Sequence, residues 1–407
     1  MNNNTLEYVG SGMGRTRMML NDIPEHPALL EYIRAGLSLL NSDPLHKHGV
    51  LYNSLMEPKY GSVIHNLYRD TLHSVHADSG GLQVMTLGKV MTPELKFGVY
   101  ENQAAYCDVG MSFDDIPVIS TSKTSVVDIT GRYYDPSLIK ERAHSSAVNI
   151  VEQERVFAEL GTDAQVCAIV HGQTGEDLRL WADTMRDVLG HDFGKVSFAT
   201  AAMGNGAKED VKSAFYAGLL KGGANHLHFL GVGSVRRLLP VLIFMQSGLY
   251  QNLHISYDST SLSSASVGGK YYMATGAINL HRQHHNEWND VYDDIHGMLP
   301  LPYDREYFHR MSTTSPTRTE DFAGPIYQTF SMYMGSVLNF KRNISLLLSD
   351  RDLLLSTLRT PLLRQVYKSL YDVNSEKDFD DWMRLAGRYL RSDSLMPLST
   401  QTLTDFL

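Results

Sequence analysis

Three aspartates, Asp78, Asp114 and Asp258, each end a short apolar segment of this 407-residue chain. Acidic groups at the C-terminal ends of parallel strands meet at one face of a sheet. Two carboxylates about 5 to 5.5 Å apart suit a retaining displacement at a sugar C1′, in which one attacks and the other transfers protons. We expect burial and like-charge repulsion to separate their pKa values. Taken alone, the stretch at Asp78 also fits an Asx-turn, but the recurrence of the layout favours a functional site.

The elements that would position these acids alternate along the chain. Helical spacing of apolar residues predicts helices such as 27–41 and 136–160. Eight apolar segments between the helical patterns predict eight parallel strands, and hence an α/β fold of the (β/α)8 TIM-barrel class. The predicted strands are 6–9, 49–53, 72–77, 108–114, 165–170, 196–200, 227–230 and 253–257.

The pattern changes after Asp258. Residues 260–269 are rich in serine and glycine and predict a loop, residues 300–325 predict an irregular, proline-punctuated segment, and residues 334–407 predict several helices. We therefore divide the chain into a catalytic barrel, residues 1–260, and a loop-rich, then helical extension, residues 261–407. The extension is expected to pack on the barrel and to be able to complete it.

Composition limits the classes of function. Hydrophobic residues make up 43% of the chain, enough for a large core, and no apolar run approaches 18 residues. The first residues lack the features of a signal peptide, and Cys107 and Cys167 lie in apolar segments, which favours reduced thiols in a cytoplasmic protein without membrane contact. A net charge of -9 argues against nonspecific coating of nucleic acid but allows a local basic groove.

Five motifs, in order over residues 72–260, carry a resemblance to the queuine and archaeosine tRNA-guanine transglycosylases. These pentosyltransferases have a D-S-G-G-aromatic-Q signature, which the stretch at Asp78 resembles. The matching stretches are Asp78-Ser-Gly-Gly-Leu-Gln, Met111-Ser-Phe-Asp-Asp, Ile169-Val-His-Gly, Phe229-Leu-Gly-Val-Gly and Tyr257-Asp, with a weaker similarity at Gly335-Ser-Val-Leu-Asn-Phe-Lys-Arg-Asn.

The resemblance implies a role for each matching residue. Asp258 would be the nucleophile that bonds covalently to C1′, and Asp78 would shuttle protons. Asp114 would read the pyrimidine-ring edge of guanine or its 7-deaza replacement, because the groups on that edge are donors and a carboxylate accepts. The base-binding set that the resemblance implies is Ser79, Leu82, Asp114, His171, Gly172, Gln173, Ala202, Met203, Leu230 and Gly231.

Departures from the family pattern change what we expect of the bound base, the cofactor and the metal. Leu82 replaces a stacking aromatic residue, and His171 replaces a base-reading glutamine, which leaves the identity of the base open. The chain has no cysteine after Cys167, so the family's cysteine-held zinc site is excluded, and we expect no cofactor and no metal. A metal site in the histidine-rich stretch is the less favoured alternative; its candidate ligands are His281, His284, His285, Asp294 and His296.

Without the zinc-held element, the chain is most similar to the phage-type DNA-guanine transglycosylases. The expected function is exchange of guanine in DNA for a 7-deazaguanine such as preQ0, a modification associated with evasion of restriction. A zinc-free tRNA enzyme and a non-catalytic nucleic-acid-binding subunit remain alternatives, and the oligomeric state is left open. Predicted phosphate contacts are Arg15, Arg17, Arg236, Arg237, Lys270, Lys341 and Arg342, with Arg351, Arg359, Arg364 and Lys368 as further basic candidates and Tyr271 and Tyr272 as candidate stacking residues.

Overall fold

A computed structural model of the chain contains a closed barrel of eight parallel strands surrounded by helices. It describes residues 4–87, 90–120, 132–172, 175–192, 194–198, 224–247, 251–280, 285–313, 322–358, 360–375, 377–379, 381–382 and 384. The strands are β1 (Thr5–Ser11), β2 (His46–Asn53), β3 (Val75–Asp78), β4 (Val109–Met111), β5 (Val118–Ser120), β6 (Arg132–Tyr134), β7 (Gln165–Val170), β8 (Lys195–Phe198), β9 (His226–Phe229), β10 (His254–Ser259), β11 (Lys270–Met273) and β12 (Gly276–Asn279).

The predicted TIM barrel is confirmed. The barrel strands are hydrogen-bonded in the order β1-β10-β9-β8-β7-β4-β3-β2, and each of the eight predicted strands overlaps one of them. Two antiparallel hairpins, β5 with β6 and β11 with β12, were not predicted. Strands of three or four residues are too short to show a clear alternation of apolar and polar positions.

Helices alternate with the barrel strands. They are α1 (Pro27–Leu40), α2 (Pro58–Tyr68), α3 (Gly81–Leu87), α4 (Pro93–Tyr106), α5 (Ile139–Leu160), α6 (Gly175–Leu189), α7 (Val235–Ser247), α8 (Ser261–Val267), α9 (His285–Met298), α10 (Arg305–Thr313), α11 (Ala323–Ser349), α12 (Arg351–Ser356) and α13 (Pro361–Lys368). None of the helices in the described part of the chain has the length and apolar character needed to cross a bilayer.

Two predictions for the region after Asp258 are corrected. The serine-rich stretch predicted as a loop forms the helix α8, in which the Ser263 hydroxyl donates to the Ser11 carbonyl 2.7 Å away. Serine has only moderate helix propensity, so this tertiary contact favours a helix that the sequence pattern does not announce. The segment predicted to be irregular contains α10 and the start of α11.

The long helix α11 of the predicted extension contacts α1 and α7, and so closes the ring of helices around the barrel. Its Ser331 hydroxyl lies 2.9 Å from the hydroxyl of Tyr32, and Lys341 donates to the backbone carbonyl of Leu40. Residues on both sides of position 260 belong to one hydrophobic core. The division into residues 1–260 and 261–407 stays a prediction.

The inside of the barrel is polar on one side. Glu7, Ser197, His228 and Ser256 occupy matching positions on four neighbouring strands, and all four are fully buried. Branched apolar residues usually fill these layers in a TIM barrel. Buried polar groups are costly unless they bond to one another, so this interior implies a hydrogen-bonded network.

Two helical glycines test the packing between helices. A Cβ at Gly36 of α1 would lie 2.6 Å from the Phe330 ring of α11, whereas a Cβ at Gly98 of α4 meets nothing within 4 Å. We expect Gly36→Ala to lower the free energy of unfolding by about 1 kcal/mol, because overpacking outweighs the gain in helix propensity. The control Gly98→Ala should raise it by up to about 1 kcal/mol. Urea unfolding checks both, and equal midpoints for the two variants would contradict the close helix approach.

Candidate active site

Asp78 is the last residue of β3, and two donors hold its carboxylate. The Asn53 side chain donates to Oδ2 at 2.9 Å, and the Gly80 backbone amide donates to Oδ1 at 3.2 Å. The side-chain oxygen Oδ1 of Asn53 accepts from the backbone amides of Leu55 and Met56, which orients the side-chain NH2 group toward Asp78. Gly80 has a φ of 83°, a conformation that favours glycine. The carboxylate is therefore held in one orientation.

The environment of Asp78 raises its pKa to about 7. Burial is the main cause, and the charges of Asp114 and Asp258 add to it, while the two hydrogen bonds act in the opposite direction. All three predicted acids therefore lie close enough to influence one another at the C-terminal mouth of the barrel. A carboxyl group that titrates near neutral pH can both donate and accept a proton.

Asp258 lies in β10 and is 6% exposed. The backbone amide of Gly231, in the turn after β9, donates to its Oδ1 at 2.7 Å. The Nε2 atom of His228 lies 3.6 Å from the same oxygen and has no hydrogen-bond partner in the described part of the chain. Both neighbours therefore lie on the Oδ1 side of the carboxylate.

A chain of polar groups leads from His228 through the barrel interior. The Ser256 hydroxyl lies 2.7 Å from Nδ1 of His228 and 2.6 Å from Nε2 of His226, and Lys195 Nζ lies 3.2 Å from Nδ1 of His226. Burial holds the pKa of His226 well below its usual range, so this ring is neutral. If Lys195 donates to His226, then His226 donates to Ser256 and Ser256 to His228. This order places a proton on His228 Nε2, directed toward Asp258.

Asp114 is held by His171. The Nε2 atom of His171 lies 2.6 Å from Asp114 Oδ2, and the buried imidazole packs its edge against Trp181 with ring centroids 5.0 Å apart. A Cβ on Gly81 would lie 2.3 Å from Asp114 Oδ1, so only glycine allows this approach. His171 was predicted to contact the base, but it is fully buried and instead orients Asp114.

Two aliphatic residues of the predicted base-binding set, Leu82 and Leu230, lie in the described part of the chain. Leu230 is half-buried and packs against Met111 and Ile169 inside the barrel. Leu82, in the first turn of α3, is also half-buried. Gly172 is buried, and a Cβ at this position would lie 2.8 Å from the backbone nitrogen of Leu178. The absence of a side chain at Gly172 therefore allows α6 to pack closely. The apolar wall around the base stays a prediction.

One predicted base-binding residue, Ser79, has a structural contact. Ser79 is fully buried, and its hydroxyl donates to the Ser112 carbonyl at 3.0 Å, so it joins the segments that follow β3 and β4. The predicted contacts at Gln173, Ala202 and Met203 lie outside the described residues.

Two predicted phosphate contacts lie near the mouth. Arg237 donates to the carbonyl of Gly231 at 3.2 Å, next to the amide that holds Asp258. Arg15 is exposed in a short 3-10 helix after β1 (Met13–Thr16) and donates to Ser264 of α8, the helix that follows Asp258. Arg17 is half-buried at the C-terminal cap of this 3-10 helix, with a φ of 62°. The side chain of Arg236 is outside the described part of the chain.

Other basic and aromatic candidates have structural roles. Lys341 is corrected: it is 3% exposed, and burial lowers its pKa to about 8, so it cannot contact a phosphate in this structure. Tyr271 is also corrected as a stacking residue, because it is fully buried and donates to Asp294 at 2.6 Å. Lys270 lies over the ring of Tyr272, and Arg342 is exposed on α11.

The remaining candidates are scattered. Arg351 lies over the ring of Tyr371, Arg364 donates to backbone carbonyls, and Lys368 is exposed. His296 accepts from the Leu301 amide, and Asp294 accepts from Tyr271 and Asn339. Among the described residues, these two candidates are not part of a potential metal-ligand cluster. The residues 281–284 and 359 lie outside the described part of the chain.

Asn53 and His228 are the neighbours of the acids that the sequence analysis missed. Alternate residues of a strand share a face, so the sequence places His226, His228 and Leu230 on one face of the same segment. This pattern could have identified His228. For Asn53 the position at the end of the second predicted strand was the corresponding signal.

The chain was also compared with known proteins. No protein-family model matches it, and no curated protein matches it either. The residues of the site are therefore the basis for any statement about function.

The raised pKa of Asp78 predicts a pH-dependent stability difference. Its folded pKa of about 7 exceeds the ordinary value of 3.8. The folded state then binds the proton more tightly, and the protein loses stability as the pH rises from about 4 to about 7. We expect Asp78→Asn to raise the free energy of unfolding at pH 8 by roughly 1–3 kcal/mol, with the gain shrinking toward pH 5.

Urea unfolding at both pH values measures this difference. The exposed Asp163 provides a matched control, and Asp163→Asn should leave stability unchanged at either pH. A constant difference between Asp78→Asn and the parent across this range would show that Asp78 titrates normally.

Proposed function

We propose that the protein exchanges guanine in DNA for a 7-deazaguanine by a double displacement at C1′, with Asp258 as nucleophile and Asp78 as proton carrier. The observation that carries the proposal is that two acids at one barrel mouth lie in different environments. Asp258 is fixed by the amide of Gly231, while burial raises the pKa of Asp78 to about 7. This division of roles is the one that covalent glycosyl transfer needs.

In the first step, Oδ2 of Asp258 attacks C1′ and the bond from C1′ to N9 of guanine breaks. The electron pair of that bond remains on the base, which takes a proton from the carboxylic acid form of Asp78. The products are a glycosyl-enzyme ester, free guanine and the carboxylate of Asp78. The pKa near 7 makes the acid form available at neutral pH.

In the second step, a 7-deazaguanine replaces guanine and its N9 proton passes to the Asp78 carboxylate. N9 then attacks C1′, and Asp258 leaves as a carboxylate. The Gly231 amide and the His228 N–H both face Oδ1, where the leaving carboxylate regains charge. The two inversions retain the β configuration, and Asp78 returns to its starting protonation state.

Asp114 is proposed to read the base. Its Oδ2 is occupied by His171, and its Oδ1 lies against Gly81 beside Asp78. A carboxylate fixed in this way can accept from N1–H and the exocyclic amine of a guanine-like base. The aliphatic side chains of Leu82 and Leu230 would cover the ring and exclude water, so that the ester is not hydrolysed.

DNA is proposed as the substrate because cations flank the mouth while the chain as a whole is acidic. Arg237 donates to the carbonyl of Gly231, and Arg15 donates to Ser264 of α8. Both cations would be close to the phosphates next to a nucleotide that reacts at Asp258. The base must leave the duplex to expose C1′. The segment that follows Asp258 is the helix α8 and contains no cysteine that could hold a zinc-dependent tRNA-docking element.

Replacement of the nucleophile tests the mechanism. We expect Asp258→Asn to lower base exchange at least about a thousandfold with its fold retained, because an amide cannot form the ester. Exchange of radiolabelled guanine into duplex DNA measures the rate, and circular dichroism checks the fold. The exposed Asp163→Asn variant is the control. Wild-type turnover in Asp258→Asn, with mass spectrometry excluding deamidation to aspartate, would disprove the assignment.

Trapping the ester tests the substrate. When no incoming base is supplied, we expect a covalent adduct between Asp258 and DNA on a denaturing gel, and 7-cyano-7-deazaguanine should release it as modified DNA. A tRNA with a G-U-N anticodon should form no adduct at moderate salt. An adduct with the tRNA alone would identify a tRNA enzyme, and no adduct with either would favour a non-catalytic subunit.

A further inference from the structure

A second cluster of potential ligands lies at the opposite end of the barrel from the acids. Glu7 of β1, His254 at the start of β10 and His73 just before β3 place one ligand atom each within 4.8 Å of one another. Nε2 of His254 lies 2.8 Å from Oε2 of Glu7. Two imidazoles and a carboxylate are a ligand set typical of zinc.

The outer atoms of two of these groups are held by hydroxyls. Nδ1 of His254 lies 2.8 Å from the Thr5 hydroxyl, and Oε1 of Glu7 accepts from Ser74 at 2.5 Å. Such outer contacts fix the ring tautomer and orient ligands toward a metal. A Cβ on Gly49 would lie 2.3 Å from Glu7 Oε1, so the backbone of β2 closes tightly on this carboxylate.

A buried histidine also faces the cluster. Nε2 of His76 lies 3.7 Å from Oε2 of Glu7, and neither ring nitrogen of His76 has a hydrogen-bond partner in the described part of the chain. His76 is fully buried, so this orphaned imidazole is costly unless something engages it. It is placed to act as a further ligand or to bond a ligand carboxylate.

We propose that Glu7, His73 and His254 bind a divalent cation of the Zn²⁺ type, with His76 behind them. The exposed His73 gives the ion a path from solvent. Because β1 and β10 are the first and last barrel strands and pair with each other, the ion would join the two ends of the barrel at its closure. Its role is structural, and it differs from the sequence-based expectation of no metal because these residues are distant in sequence.

Metal binding by the full-length protein tests the site directly. The protein is stripped with EDTA, dialysed, and titrated with Co²⁺ for visible absorption and with Zn²⁺ against a chromogenic chelator. We expect one ion per chain, a higher melting temperature with Zn²⁺, and a loss of affinity of at least about tenfold in His73→Ala and His254→Ala. His144→Ala, which removes an exposed histidine of α5, is the matched control and should bind normally.

His73 is exposed, so its variant should fold, and Glu7→Gln offers a second test that keeps the side chain's size. Equal binding by the parent, His73→Ala and Glu7→Gln would overturn the proposal. Absence of one-to-one binding by the parent would do the same and would leave Glu7 and His254 as a hydrogen-bonded pair. Binding that is lost only when His284 and His285 are replaced would assign the ion to the histidine-rich stretch.

Discussion

Buried carboxylates need donors, and this requirement governs the interior of the barrel. Glu7, Asp78 and Asp258 are each met by a different kind of donor: histidine and serine side chains, an asparagine amide, and a backbone amide. An unpaired buried charge would cost several kcal/mol, so these contacts are conditions for folding as well as for chemistry. The polar side of the barrel interior, which contains Glu7 and His228, follows from the same need.

The three acids at the mouth also differ in their environments, and therefore in their chemistry. A hydrogen bond from the Gly231 backbone amide keeps the Asp258 carboxylate oriented. Burial and two neighbouring negative charges raise the pKa of Asp78 to about 7. Asp114 is linked to His171, whose ring is fixed against Trp181. One barrel mouth thus contains three acids in three different environments, which is how identical side chains acquire separate functions. The proposed transglycosylation uses each environment for a different task.

The closed barrel places two distinct clusters at its two ends. Asp258 and His254 lie in the same strand, four residues apart, and their side chains share the inner face because strands have a period of two. The C-terminal end carries the acids of the proposed reaction, and the N-terminal end carries the proposed metal ligands. In TIM barrels the first end carries catalysis and the second contributes stability.

The sequence by itself determined the eight barrel strands, the helix at 27–41 and the positions of Asp78, Asp114 and Asp258 at or just after the C-terminal ends of strands, because periodicity and turn residues are local signals. Only the tertiary structure decided that Lys341 is buried beneath α1, that His171 bonds to Asp114, and that a serine-rich stretch forms a helix. It likewise brought Glu7, His73 and His254 together from distant parts of the chain. Burial and side-chain pairing depend on which strands become neighbours, and barrel closure sets those neighbours through contacts that no local pattern records.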